Sequence, residues 1–221
     1  MLREGLDKGY AKMPIVRAGA ILLLAAGAAL GGCGGTSLKP DAPQGANLAG
    51  SWKLDHSASD DPQKILDRMR TEANHIISRQ LQAQGQSPPA FHGDPLRRSP
   101  MAHIVEAAAA RGDYLTIRQD GGEFVLDYGT TRRTFTPGEH SVVSAEGGVG
   151  DQTSGWKGRE YVIVIRGQAG PDVTESYGLS DDGKHLVQKL HIGEAELPPV
   201  NLTRVYDPTN ETAPRQLPNS D

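Results

Sequence analysis

Three kinds of hydrophobic spacing follow one another along the 221 residues. The first is an unbroken apolar run, Ala18 to Leu30, with Arg17 before it and Gly31-Gly32 after it. At about 13 residues it is too short for a bilayer span of ~20 and has the length and flanks of an export signal. The second spacing is helical. Asp60-Asp61-Pro62 supplies a capping acid and a proline for a first turn, Ile65, Leu66, Met69, Ala73, Ile76, Ile77 and Leu81 follow at three- and four-residue intervals, and Gly85 ends the run. A loop with Pro88, Pro89, Pro95 and Pro100 leads to a second, shorter helix predicted over Met101–Arg111, closed by Gly112.

The third spacing has a period of two. One strand is predicted at Leu48–Asp55. Eight follow the helices: Tyr114–Gln119, Glu123–Tyr128, Thr131–Thr136, Ser141–Ala145, Glu160–Arg166, Val173–Leu179, His185–Ile192 and Val200–Tyr206. Turn signals such as Asp120-Gly121-Gly122, Pro137-Gly138 and Asp181-Asp182-Gly183 separate them. Gly147-Gly148-Val149-Gly150 reads as one more turn. The pattern predicts a mainly β protein: nine strands in an antiparallel up-and-down meander, closed into a barrel or half-barrel, with a helix pair inserted after the first strand. The expected organisation is a cleaved leader over 1–32, a tether over 33–47, a domain over 48–207 with its helical insert at 57–113, and a disordered tail over 208–221.

The leader changes the functional picture most. Met13 is a better start than Met1, because a short basic lead-in then precedes the apolar run. Leu30-Gly31-Gly32-Cys33 resembles the lipobox of bacterial lipoproteins, and Cys33 is the only cysteine in the chain. The resemblance implies cleavage between Gly32 and Cys33, a diacylglyceryl thioether on Cys33, acylation of the new amino terminus, and membrane attachment through lipid on that residue. Gly34 stands where an aspartate would retain such a protein on the inner membrane, so the resemblance also implies the outer membrane, facing the periplasm. A lone cysteine leaves no intramolecular disulfide to stabilise an exported domain.

Charge narrows the partners. The leader holds four basic and two acidic residues, so the remaining 19 basic and 25 acidic residues carry a net charge of −6. Without a basic excess, nucleic acid is excluded as a partner class. Catalytic patterns are absent as well. The seven histidines form no His-Glu-x-x-His motif, and His185 and His191, though on one strand face, lie about 20 Å apart at ~3.3 Å per residue. There is no Gly-x-Ser-x-Gly elbow and no dinucleotide-binding glycine motif. The expectation is a protein with no metal, no cofactor and no enzymatic activity.

Both ends of the strand pattern carry a resemblance. Gly50-Ser51-Trp52-Lys53-Leu54 is similar to the Gly-x-Trp strand that opens the calycins, the lipocalins and fatty-acid-binding proteins, and the latter insert a helix pair directly after it. Leu202-Thr203-Arg204-Val205-Tyr206 resembles the closing strand of that branch, whose Arg-x-Tyr pair holds a ligand carboxylate. The resemblance implies a small amphipathic ligand inside the barrel, with Arg204 and Tyr206 at its polar end and Trp52 in the lining. Alternation agrees that Arg204 points inward, where it needs a charged partner: an anionic ligand, or Glu175. The chain departs from that branch in its longer helical insert and in nine strands where the branch has ten. The alternative is a non-catalytic structural or protein-interaction lipoprotein, which a filled interior would favour.

Overall fold

The computed structural model describes residues 37–87, 93–120 and 122–211. Gly32, Cys33 and the whole leader lie outside the described residues. The chain forms β1 (Gly50–Asp55), α1 (Pro62–Ala83), α2 (Pro100–Ala110) and then β2 (Tyr114–Asp120), β3 (Glu123–Asp127), β4 (Arg132–Phe135), β5 (His140–Ala145), β6 (Gly148–Lys157), β7 (Glu160–Gly167), β8 (Val173–Leu179), β9 (Leu186–Ile192) and β10 (Val200–Pro208). All ten strands join one antiparallel sheet in the order β4-β3-β2-β1-β10-β9-β8-β7-β6-β5. β1 closes onto β10, while β4 and β5 are the two free edges, so the architecture is a curled half-barrel meander with a seam.

The strand count corrects the reading of nine. The additional strand is β6, which opens on the glycines read above as a turn. Its sequence, Gly-Val-Gly-Asp-Gln-Thr-Ser-Gly-Trp-Lys, has no apolar alternation and so gave no strand signal. Its glycines answer to close approach instead. A Cβ on Gly150 would stand 2.8 Å from the Arg166 carbonyl oxygen on β7, and one on Gly155 would stand 2.7 Å from the Lys39 carbonyl oxygen.

The helices start where local chemistry directs. Asp61 caps α1 by accepting from the Gln63 amide at 2.9 Å, with Pro62 in the first turn. Ser99 caps α2 by accepting from the Ala102 amide at 3.1 Å, and its own hydroxyl donates to Glu196. Among the described residues, no helix is long and apolar enough to cross a membrane.

The interior is layered along the barrel axis. At one end Trp52, Leu115, Phe124, Phe135, Trp156, Tyr161 and Leu186 form an aromatic-rich core. There the opposite walls touch: Phe124 of β3 stacks on Tyr161 of β7 with ring centroids 3.6 Å apart. At the other end α1 and α2 pack Ile65, Met69, Met101 and Val105 over Leu190, Ile192 and Leu202. Single strands cross both layers. On β10, Leu202 lies under the helices and Tyr206 in the aromatic end, with Arg204 between them.

The segment ahead of β1 is part of the wall from Lys39 onward. Lys39 and Trp156 exchange backbone hydrogen bonds at 2.9 and 2.8 Å, occupying the stretch of β6 that β5 does not reach. Gln119 then fixes the arm by donating to the Ala46 carbonyl and accepting from the Leu48 amide. At the far terminus β10 runs to Pro208, Thr209 donates its amide to Ser51, and Glu211 accepts from Lys53 and the Tyr114 hydroxyl.

Candidate functional site

Between the two apolar layers lies a belt of buried polar groups. Glu175 on β8, Gln188 on β9 and Arg204 on β10 are 3%, 1% and 4% exposed. The strand registers set them side by side, since Gln188 stands opposite both Tyr177 and Arg204. A hydrogen-bond chain runs through the belt: Tyr206 donates to Gln188 Oε1, Gln188 Nε2 donates to the Tyr177 hydroxyl, and that hydroxyl donates to Glu175 at 2.7 Å. The Tyr128 hydroxyl joins Tyr177 at 2.9 Å. Burying this many polar groups is tolerable because they satisfy one another.

Glu175 is the charge centre. Arg111, at the end of α2, donates to both of its oxygens at 2.9 and 3.0 Å. Arg133 of β4 donates Nη1 to the same two oxygens at 2.9 Å. Burial alone would raise the Glu175 carboxyl, but the two guanidiniums and the Tyr177 hydroxyl hold it well below the usual carboxylate range. The same carboxylate outweighs burial to raise Arg111 well above its ordinary value. Burial pushes the Tyr161 phenol up to about 12, against a hydrogen bond to Ser154 that lowers it.

Two guanidiniums on one carboxylate leave one positive charge over. Arg133 spends only Nη1 on Glu175, and among the described residues its Nη2 and Nε have no partner, out of five N–H donors on a guanidinium. Both arginines and Glu175 floor a cavity of ≈ 280 Å³ between α2 and the seam. Its walls are mostly apolar, with Ile104 and Ala107 from α2, Val143 from β5, Ile165 from β7, and Pro171 and Val173 at the head of β8. Glu146 stands exposed at the rim. A compact apolar chamber with a net cation at its floor suits a ligand with an apolar body and an anionic head.

The residues anticipated for a ligand sit elsewhere. Arg204 is inward and buried, yet it donates Nη1 to the Ala108 carbonyl at 2.9 Å and Nη2 to the Gly112 carbonyl at 2.7 Å. It therefore satisfies orphan carbonyls at the end of α2 and faces the negative end of that helix dipole. Tyr206 belongs to the belt, and Trp52 fills the aromatic end, its Nε1 donating to the Leu48 carbonyl at 3.1 Å. None of these three lines the cavity. Glu175 takes partners other than Arg204. Of these, Arg133 alternates inward on β4, a signal the sequence carried only as one of the Arg132-Arg133 pair, whereas Arg111 is reached only through the docking of α2.

Histidine pairs off at the surface. His185 meets Asp207 at 2.7 Å, His191 meets Asn201 at 2.8 Å and His56 meets Asp113 at 3.1 Å. Among the described residues, no group of three or more metal-ligating side chains stands together.

Fold and site together define a ten-stranded half-barrel with a helical lid over an amphipathic chamber. No family model and no curated protein sequence matches the chain. Solved structures similar to it include apo lipid binding protein 8 of Caenorhabditis elegans, at 15% identity and a TM-score of 0.46 over 76% of this chain and 99% of that one. Another is the REP1-NXSQ fatty acid transporter, at 19% identity and a TM-score of 0.45 over 75% and 98%. The fatty-acid-binding protein of Drosophila melanogaster brain tissue is similar at 14% identity and a TM-score of 0.41 over 73% and 99%.

Proposed function

We propose that this chain is a lipid-anchored, non-catalytic binding protein of the bacterial cell envelope. It takes a small anionic amphiphile into the chamber under α2. The observation that carries the ligand half is the excess positive charge that Arg111 and Arg133, sharing Glu175, leave at the floor of a mostly apolar cavity whose other carboxylate, Glu146, is exposed at the rim. A head group there accepts from the free donors of Arg133, while the tail covers Ile104, Val143 and Val173. The anchor half rests on Leu30-Gly31-Gly32-Cys33. Acyl chains on Cys33 would hold the domain at the periplasmic face of the outer membrane.

Two measurements test the halves separately. Mass spectrometry of the amino-terminal peptide should show Cys33 as the first residue, carrying acyl chains; an unmodified Cys33 or an uncut leader overturns the anchor. A fluorescent carboxylate-headed amphiphile should bind the purified protein and weaken at least tenfold on Arg133→Gln; equal binding to both proteins overturns the ligand assignment. The stacked walls at Phe124 and Tyr161 favour a second reading, in which the filled barrel is a scaffold whose outer surface holds another envelope protein. In that case no amphiphile of any head group binds the chamber.

A further inference from the structure

Resting on the chamber proposed above, we infer that its ligand is short: one anionic head and a tail of about six or seven carbons, not a long acyl chain. Three observations set the limit. The cavity holds ≈ 280 Å³, at the lower edge of the ~300–1,000 Å³ of ordinary ligand pockets. At the ~30 Å³ that a water-sized group occupies, this is space for on the order of nine or ten non-hydrogen atoms.

The chamber also cannot lengthen inward. Its floor is Arg111, Arg133 and Glu175, and the layer beyond is solid: the Arg111 guanidinium lies 5.5 Å from the Tyr128 ring centroid and that of Arg133 5.0 Å from the Phe135 ring. Behind them Phe124 and Tyr161 stack, with Trp156 edge-on to both at 5.9 and 5.3 Å. Tyr161, Tyr177 and Tyr206 are fully buried there. A tail cannot pass the belt without unpacking these rings, each burying ~150–250 Å².

The direction of the tail follows from the same geometry. The cation is at the floor, so the head sits deepest and the tail runs outward between α2 and the β5–β6 turn. That passage is itself tight, since a Cβ on Gly147 would come within 2.8 Å of Ile104 Cδ1. Each methylene in contact with Ile104, Val143 or Val173 adds affinity, whereas one beyond the rim lies in water and adds none.

Calorimetric titration of the purified protein with straight-chain carboxylates of four to fourteen carbons, each below its micelle concentration, reads this directly. Affinity should rise about fourfold per added methylene up to seven or eight carbons and then stay level. A rise continuing unbroken to fourteen carbons overturns the length limit and leaves the anionic chamber standing. Failure of every acid to bind overturns both.

Discussion

Arg111 and Glu175 bind each other across the lid: the residue that ends α2 donates two parallel hydrogen bonds, at 2.9 and 3.0 Å, to a carboxylate on β8. The contact has a counterpart in the opposite direction, since Arg204 on β10 donates to the Ala108 and Gly112 carbonyls at the end of the same helix. Barrel and lid thus exchange one arginine each. Glu175 is the shared element, because the guanidinium that closes the lid also forms half of the cation at the cavity floor.

Glu175→Gln should be strongly destabilising. It removes the charge that two buried guanidiniums share, and breaking one side of a buried pair costs about 3–5 kcal/mol. Urea unfolding should show a lower midpoint with an unchanged slope. Restoring charge balance with Glu175→Gln and Arg133→Gln together should recover part of the loss.

Arg204→Met keeps the length of the side chain and removes its donors. The Ala108 and Gly112 carbonyls then lose their partners, at about 1–3 kcal/mol for an unsatisfied buried group. Hydrogen exchange should speed up in α2 and at Gly112 while the amides of β8 and β9 stay protected. Unchanged exchange in α2 would show that Arg204 does not hold the lid.

Stability should fall at both ends of the pH scale for separate reasons. Glu175 is depressed in the folded state, so its contribution is complete above its unfolded value of about 4.5 and is lost as the pH drops toward the folded one. Tyr161 is raised to about 12 from 10.0, so its contribution is complete below 10 and disappears between 10 and 12. Thermal melts from pH 2 to 12 check both limbs, and Tyr161→Phe should flatten part of the alkaline one.

Gly155→Ala tests the arm. The new Cβ would meet the Lys39 carbonyl oxygen at 2.7 Å, so the Lys39–Trp156 pairing must open. Limited proteolysis should then cut near Lys39, a site the parent protein protects. Overpacking of this kind costs about 1–3 kcal/mol.

Much of this architecture could be read from spacing alone. The capping of α1 by Asp61, the seven apolar–polar runs on β2 to β5 and β7 to β9, and the inward side of Arg204 all follow from local periodicity. β6 could not be read, because its glycines are demanded by neighbours far off in the chain, Arg166 and Lys39. The charge centre was half legible. Alternation sets Glu175 on one face with Val173 and Tyr177 and lets at most one of Arg132 and Arg133 turn inward without saying which, and the meeting of Glu175 with Arg133 depends on the curl that brings β4 over β8. The protein partners of Arg204 were not legible for a related reason: a strand pattern shows that an arginine is buried, and only the placement of α2 shows that the Ala108 and Gly112 carbonyls, not Glu175, reach it.

Ligand binding in the chamber depends on an anion held at Arg111 and Arg133, and ¹³C NMR of carboxyl-labelled octanoate bound to the protein reads that contact itself. Held by this cation, the bound carboxyl should keep the shift of an ionised group from pH 7 down to pH 4, below where the free acid protonates. On Arg133→Gln it should titrate at higher pH. A bound carboxyl that titrates as it does in water, or no bound signal at all, would show that Arg111 and Arg133 hold no anion.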